Sequence, residues 1–524
     1  MCRIELKFCL FLSLMVSCHS ANILYLISYI GKSQYIMLKP IGLELAKRGH
    51  NVTVITVFSE NNPPPNYHQV LVDDKIWNAM GGKRPSHFSS VDLSAEERHN
   101  RFLWTGGLTL TEVVLNSTQV QRFLAADHKF DVVISEQFFQ EAMYILAHKY
   151  EAPLVLITSY GNCMRHNIAT RNPLQLATVI SEFLVVQQPG SFYGRLRNLY
   201  FTVYEYVWWR FWYLRKMDRL ATTYVPNLKE PVPSLYEIQK NVSLFLINSH
   251  FSFDPPTAYF PNIVEVGGVH LPSKVPELPQ DLQKILDEAT NGVVYMTFGS
   301  NIKSSMLPVE KKNAFLNVFR RLKLTVLWKW EDDQLQNKPD NVVIREWLPQ
   351  NEILAHPNVK VFISHGGLIG TQEAIYHGVP IIGIPIYGDQ FNNLLQIQEA
   401  GFGKLLQFHE ITEETLDKML NEVLNNESYS NKAKEVSQRF RDRPMTPLDT
   451  AVYWIEYVIR NKGASYMKNS GLKMSWIAYN MLDVYAFVLL VILSTVYCTL
   501  KILRVLRHFL QPKVDKKSSK IKKS

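Results

Sequence analysis

The chain has 524 residues, more than one hydrophobic core usually organises, so two domains with appendages are expected. A hydrophobic content of 47% with 12% aromatics excludes a disordered chain. The formal charge of +9 points to nucleic acid only until it is located. Nine Lys or Arg stand against one Asp between Lys501 and Ser524, which leaves about +1 for everything before them and excludes a broad basic binding face there.

Arg3 and Lys7 precede the apolar run FCLFLSLMV, and Cys18 and Ser20 hold the small-residue positions before a cut after Ser20. Residues 1–20 therefore read as a secretory signal peptide. ANILYLIS follows as a buried strand. A helix through Ile41, Leu45 and Ala46 comes next and closes at Arg48-Gly49-His50, where His50 reads as structural. NVTVITVF completes a βαβ unit. FDVVISE, the helix EAMYILAHKY and the strand PLVLITS extend a parallel sheet in a first domain, 21–270.

Ser191 to Leu220 mixes aromatics with Arg and Lys. Two readings stand for it: a helix lying on a membrane surface, or an aromatic helix packed on the first domain. GGVHLPSKVPELP is a Gly- and Pro-rich linker. A second domain, 271–450, restarts the alternation. GVVYMTFGS, LTVLWKW, VKVFISH and VPIIGIP are its strands; helices run over Val309–Leu322 and GLIGTQEAIYHG, with Gly378 ending the latter. Two doubly wound domains facing across a cleft should hold ligands at the carboxyl ends of their strands.

Residues 451–480 read as a return helix and juxtamembrane segment, 481–503 as a transmembrane helix and 504–524 as a basic tail. The seventeen uncharged residues from Val484 to Leu500 span about 25 Å. Trp476, Tyr479 and Tyr485 sit where interface aromatics belong, and the basic cluster places the tail in the cytosol. The terminal KIKKS, with Lys520 and Lys522, resembles a dilysine retrieval signal of the endoplasmic reticulum. Sequons at Asn116, Asn241 and Asn426 fit a luminal body; a fourth, Asn51, opens an apolar strand and is expected to be inaccessible. Of five cysteines only Cys163 lies in the body, so no intrachain disulfide is expected.

The sharpest signal runs from Trp347 to Gln390: WLPQNEILAHP, then FISHGGLIGTQEAIYHGVPIIGIPIYGDQ. His365, Gly366 and Gly367 fall where a strand meets a helix N-terminus, a position suited to a diphosphate. The ordered set W-x-P-Q, H-G-G, Glu, H-G-x-P and D-Q resembles the donor signature of the UDP-glycosyltransferase superfamily, which includes the UDP-glucuronosyltransferases. The likeness extends over nearly the whole chain, and the wording around the signature is similar to arthropod, membrane-bound members.

The resemblance implies two facing Rossmann-like domains of GT-B type plus one C-terminal transmembrane helix, with acceptor bound by the first domain and UDP-sugar by the second. It assigns Ser300 and His365 to phosphate, Trp347 to uracil stacking, Gln350 to the nucleotide, Glu373 to the ribose, and Asp389 and Gln390 to the sugar; Gly366, Gly367 and Gly370 complete the set. Ile369 departs from it, standing where many relatives carry Asn.

The acceptor side departs further. Inverting transfer to an alcohol needs a general base, usually a His in the loop after the first strand, oriented by a carboxylate. Here YIGKSQYIM puts Gln34 at that position, while the carboxylate survives as Glu136. Three readings follow: acceptors that bring their own lone pair or ionise readily (amines, thiols, acidic phenols), Glu136 as base directly or through water, or a UDP-sugar-binding pseudoenzyme paired with an active relative. UDP-glucose is the expected donor and UDP-glucuronate the alternative. A small lipophilic acceptor, a membrane and a homo- or hetero-dimer are the expected partners, with no nucleic acid, cofactor or metal site. The expected place is the endoplasmic reticulum membrane, single-pass, body in the lumen.

Overall fold

The computed structural model describes residues 20–79 and 87–510. The signal peptide (Ser20 apart) and the dilysine pattern lie outside those residues. Residues up to Asn469 form one compact unit, and those from Ser470 onward a second.

The first unit holds two parallel sheets. Strands β1 (Asn22–Ile27), β2 (Asn51–Thr56), β3 (Tyr67–Leu71), β4 (Val132–Glu136), β5 (Leu154–Ile157), β6 (Leu244–Ile247) and β7 (Ile263–Glu265) build the first, in the order β3-β2-β1-β4-β5-β6-β7. Strands β8 (Val293–Thr297), β9 (Thr325–Lys329), β10 (Val342–Arg345), β11 (Val359–Ser364), β12 (Ile381–Gly383) and β13 (Gly403–Leu405) build the second, in the order β10-β9-β8-β11-β12-β13. This is the expected pair of doubly wound domains. The inner strands β4, β5, β6 and β8 are buried along their whole length because both faces are covered. On β1, Leu24 and Leu26 enter one core with Trp104 and Leu110, while Ile23, Tyr25 and Ile27 enter another with Leu38 and Ile41. In each sheet the order reverses beside the central strand, at β1/β4 and at β8/β11, which opens a crevice at the carboxyl ends.

Five helices matter for the site. Helix α1 (Lys32–Lys47) follows β1, and α2 (Phe192–Trp208) continues through a π-helical segment, Trp209–Tyr213, into α3 (Leu214–Tyr224). Helix α4 (Leu368–His377) follows β11, and α5 (Gln390–Ala400) follows β12. The aromatic segment satisfies its packing reading: Phe201, Trp209, Tyr213 and Met217 are buried. Its opposite face still exposes Phe192, Tyr193, Leu196, Leu199, Tyr200, Val203, Val207 and Phe211.

The return helix begins before the expected position, as α6 (Pro447–Arg460), with Thr446 accepting from Asp449 N–H as its N-cap. Ala451, Val452, Ile455 and Val458 share a core with β1 and α1, so the last helix of this unit completes the first domain. Arg48 pairs with Asp449 at 2.5 Å. His50 is structural: it accepts from Ala21 N–H at 3.2 Å and faces Glu456 at 3.4 Å.

In the second unit one apolar helix, α7 (Leu482–Leu510), has a mean hydropathy of 2.2 and is long enough to cross a membrane. The helix runs on past the expected span and carries Arg504 and Arg507 of the expected tail.

Candidate active site

The position expected to be catalytic lies at the first switch point. Gly31 precedes α1, and Gln34 occupies its first turn with its side chain turned back toward the sheet. Its amide Nε2 donates to Glu136 Oε1 at 2.8 Å and to Ser159 Oγ at 3.1 Å. Ser159 Oγ donates to the same Glu136 oxygen at 3.0 Å. The other oxygen, Oε2, is buried with no hydrogen-bond partner among the described residues. Burial pushes the Glu136 carboxyl up to about 8, against the two hydrogen bonds, which lower it. Gln34 and Ser159 line the cleft and Glu136 does not. Direct proton abstraction by Glu136 is therefore disfavoured, since two side chains stand in front of it. Ser159 went unnoticed in the sequence because only the β4–β5 pairing, Glu136 beside Ile157, brings it there.

The cleft between the domains has a volume of about 930 Å³. Tyr29, Phe102, Phe138, Tyr160 and Phe183 form an aromatic wall on the first domain. Behind it lies an ion network that sequence reading missed. His99 Nε2 meets Glu205 Oε1 at 3.2 Å and Nδ1 meets the Ala95 carbonyl at 3.1 Å. Arg165 pairs with Glu205 at 3.1 Å and lies 4.2 Å from the Phe139 ring centre. Burial works to raise the Glu205 carboxyl, but Arg165 and His99 hold it below its usual value. His99 reaches the cleft, yet both ring nitrogens are engaged, so neither is free to take a proton from an acceptor.

The donor side forms at the second switch point. After β8 the chain turns through Gly299 (φ +80°) to Ser300; after β11 it turns through His365 and Gly366 (φ +83°) to Gly367, the N-cap of α4. The His365 ring fills the space between two glycines. A Cβ at Gly299 would lie 2.6 Å from its Cε1, and one at Gly367 2.6 Å from its Nε2. Ser300 Oγ and His365 Nδ1 are buried with no partner among the described residues. Burial lowers the imidazole to about 4, with Lys329 acting in the same direction. Neutral donors at a helix N-terminus that has no acidic residue in its first turn suit a phosphate group. Gly366 does not line the cleft; its hydrogen faces Leu394, where a Cβ would be 2.4 Å from Cγ.

Trp347 is 47% exposed, and the Lys32 ammonium of the opposite domain stands 3.7 Å from its ring centre. Gln350 Nε2 donates to Glu373 Oε2. Gly370 allows this, since a Cβ there would be 2.8 Å from that nitrogen. Burial raises the Glu373 carboxyl to about 7, the Gln350 bond opposing and Glu352 adding. Asp389 precedes α5, accepts from Asn393 at 3.0 Å, and is raised to about 6 by burial. The Gln390 carbonyl oxygen is committed to the loop after β12, accepting from Ile386 and Tyr387 N–H at 2.8 and 3.0 Å. Only its amide nitrogen remains for a sugar.

Among the described residues no group of three or more His, Cys, Asp or Glu could hold a metal. Asn116, Asn241 and Asn426 are exposed. Asn51 is exposed too, contrary to expectation, because it stands at the open end of β2, where its side chain donates to Asn22 Oδ1 at 3.1 Å.

Two doubly wound sheets with unpartnered polar donors at one switch point and an aromatic wall at the other have the architecture of a GT-B fold. The sequence matches the family "UDP-glucoronosyl and UDP-glucosyl transferase" over residues 87–517, so the chain belongs to that family and is a glycosyltransferase. It is 36% identical to UDP-glucosyltransferase 2 of Dactylopius coccus, covering 98% of each chain. To UDP-glycosyltransferase UGT5 of the same insect it is 35% identical, covering 91% of this chain and 90% of the relative. With UDP-glucuronosyltransferase 2B15 of Homo sapiens it shares 28% identity over 90% of each. The fold is similar to that of UDP-glucose: anthocyanidin 3-O-glucosyltransferase solved with UDP, at a TM-score of 0.55 and 17% identity over 84% of this chain and 99% of that one.

Proposed function

We propose that the protein transfers glucose from UDP-glucose to small lipophilic acceptors with inversion, and that Gln34 biases it toward nitrogen and sulfur acceptors. The observation that carries this reading is the Gln34 carboxamide bonded to Glu136 and Ser159 where a His–carboxylate pair would stand. The D. coccus UDP-glucosyltransferase similarity supports the sugar. A carboxamide has no useful basicity, but a neutral amine attacks the anomeric carbon with its own lone pair. The new C–N bond forms as the C–O bond to UDP breaks, and UDP leaves with the electron pair. Ser300, His365 and the N-terminus of α4 meet the charge on the departing phosphate. Trp347 stacks uracil, Glu373 binds ribose, and Asp389 with the Gln390 amide holds the sugar. A protonated primary or secondary amine product releases its proton to water afterwards.

A slower route to alcohols rests on Ser159, whose Oγ touches the cleft and donates to Glu136. It passes an acceptor proton back to Glu136 in the deprotonated form of that carboxyl, so this route strengthens as pH rises toward about 8. We further propose that the body lies in the lumen of the endoplasmic reticulum, anchored by α7.

The test measures UDP release by full-length protein in microsomes with a phenol, an aliphatic alcohol, an aromatic amine and a thiol. Wild type should use the amine or thiol, and Gln34→His should gain the alcohol by at least about 100-fold, the usual scale of general-base catalysis. Turnover of no acceptor by either form, with UDP-glucose still bound, would replace this reading with a binding-only protein. Asp389→Ala should abolish whatever turnover is found.

A further inference from the structure

The linker between the domains carries a group that no other part of the site explains. His270 follows Gly267-Gly268-Val269 and enters the cleft. Its side chain is only 2% exposed, and the rest of the residue's exposure belongs to its backbone. Neither Nδ1 nor Nε2 completes a well-formed hydrogen bond among the described residues, the Ile369 carbonyl acting on the ring only in poor geometry. A buried imidazole so poorly partnered is costly unless something else completes its hydrogen bonds.

Its surroundings indicate what that is. Nε2 stands 3.9 Å from Glu373 Oε1, too far for a direct hydrogen bond. Glu373 Oε2 is already taken by Gln350, so Oε1 is the oxygen left for a ligand. A hydroxyl oxygen about 2.8 Å from each atom fits the gap, donating to Glu373 Oε1 and accepting from His270 Nε2–H. Burial lowers the imidazole to about 4, the Ile369 carbonyl pulling the other way, so the ring is neutral and can offer a single N–H.

We propose that His270 is a nucleotide-binding residue that, together with Glu373, clamps one ribose hydroxyl of the donor. The inference rests on the donor-site reading above and extends it to the linker. Because His270 lies on the segment joining the two domains, ribose occupancy ties the linker to the second domain.

The experiment titrates detergent-solubilised full chain by calorimetry with UDP, 2′-deoxy-UDP and 3′-deoxy-UDP. His270→Phe keeps a ring but removes both nitrogens; His270→Gln restores an N–H donor. His270→Phe should weaken UDP about tenfold, and this penalty should vanish for one of the two deoxynucleotides. His270→Gln should recover part of the loss. An equal penalty for all three nucleotides, or none, would reduce His270 to a packing role and overturn the inference. If wild type binds no UDP, the donor-site reading itself falls, which is a different result from wild type binding and the variants behaving alike.

Discussion

At Gln34 the side chain keeps the hydrogen bond to Glu136 that an imidazole N–H would make but offers no second basic nitrogen. Its placement depends on a neighbour. A Cβ at Gly31 would lie 1.9 Å from Gln34 Oε1. Gly31→Ala should push the carboxamide off Glu136 and lower turnover, by about tenfold for the loss of one positioning hydrogen bond, with the UDP affinity unchanged in a binding titration. Glu136 gives a second prediction, with a definite sign. Its folded carboxyl titrates near 8 against an ordinary 4.5, so the folded chain holds the proton more tightly than the unfolded one. The group costs nothing below about pH 4.5, and its cost grows as pH rises from there to about 8. Glu136→Gln should therefore raise Tm at pH 8.5 and leave it nearly unchanged at pH 4.5; a pH-independent shift would contradict the burial argument.

At the scale of elements, α4 and α6 carry different loads. Before α4, Gly366 and Gly367 are adjacent glycines with different reasons. Gly366 has φ +83° and presses on Leu394, so Gly366→Ala should cost about 1–3 kcal/mol in denaturation. Gly367 has φ −61°, which any residue adopts, but its Cβ would displace His365. Gly367→Ala should leave Tm within a few degrees while weakening UDP binding about tenfold. Helix α6 tests the first domain's dependence on a distant segment. Ile455 is fully buried against β1 and α1, so Ile455→Ala should cost about 2–5 kcal/mol in a denaturant titration. That both motif glycines belong to the signature was legible in the sequence. Which of them meets Leu394 and which meets His365 was not, because Leu394 comes from α5 and the contact exists only once β11 and β12 pair.

Across the whole molecule, the cleft is crossed by Lys32 over Trp347, a cation facing the ring expected to stack uracil. Lys32→Ala should change UDP binding only modestly, by about threefold, as an exposed cation–aromatic contact is worth about 0.5–1 kcal/mol. The apolar periodicity, the punctuating glycines and the 44-residue signature made the fold class, the family and the terminal apolar helix legible in the sequence. Short strands were not: β3, β6, β7, β10 and β13 have too few residues, or too exposed an outer face, for a periodic signal.

Two α/β halves, the order of the signature residues, the presence of Gln34 just after the first strand and the terminal apolar helix follow from the sequence alone, because each depends on residues close together in the chain. The tertiary structure decided that Ser159 joins Gln34 and Glu136, that Glu136 is screened from the cleft, that the Gln390 carbonyl is spent on a loop, and that His270 faces Glu373 across 3.9 Å. Apart from the Gln390 contact, which is local, these link positions up to 125 residues apart. No local pattern encodes them, because the pairing of β4 with β5 and of β8 with β11 sets which chain ends meet at each switch point.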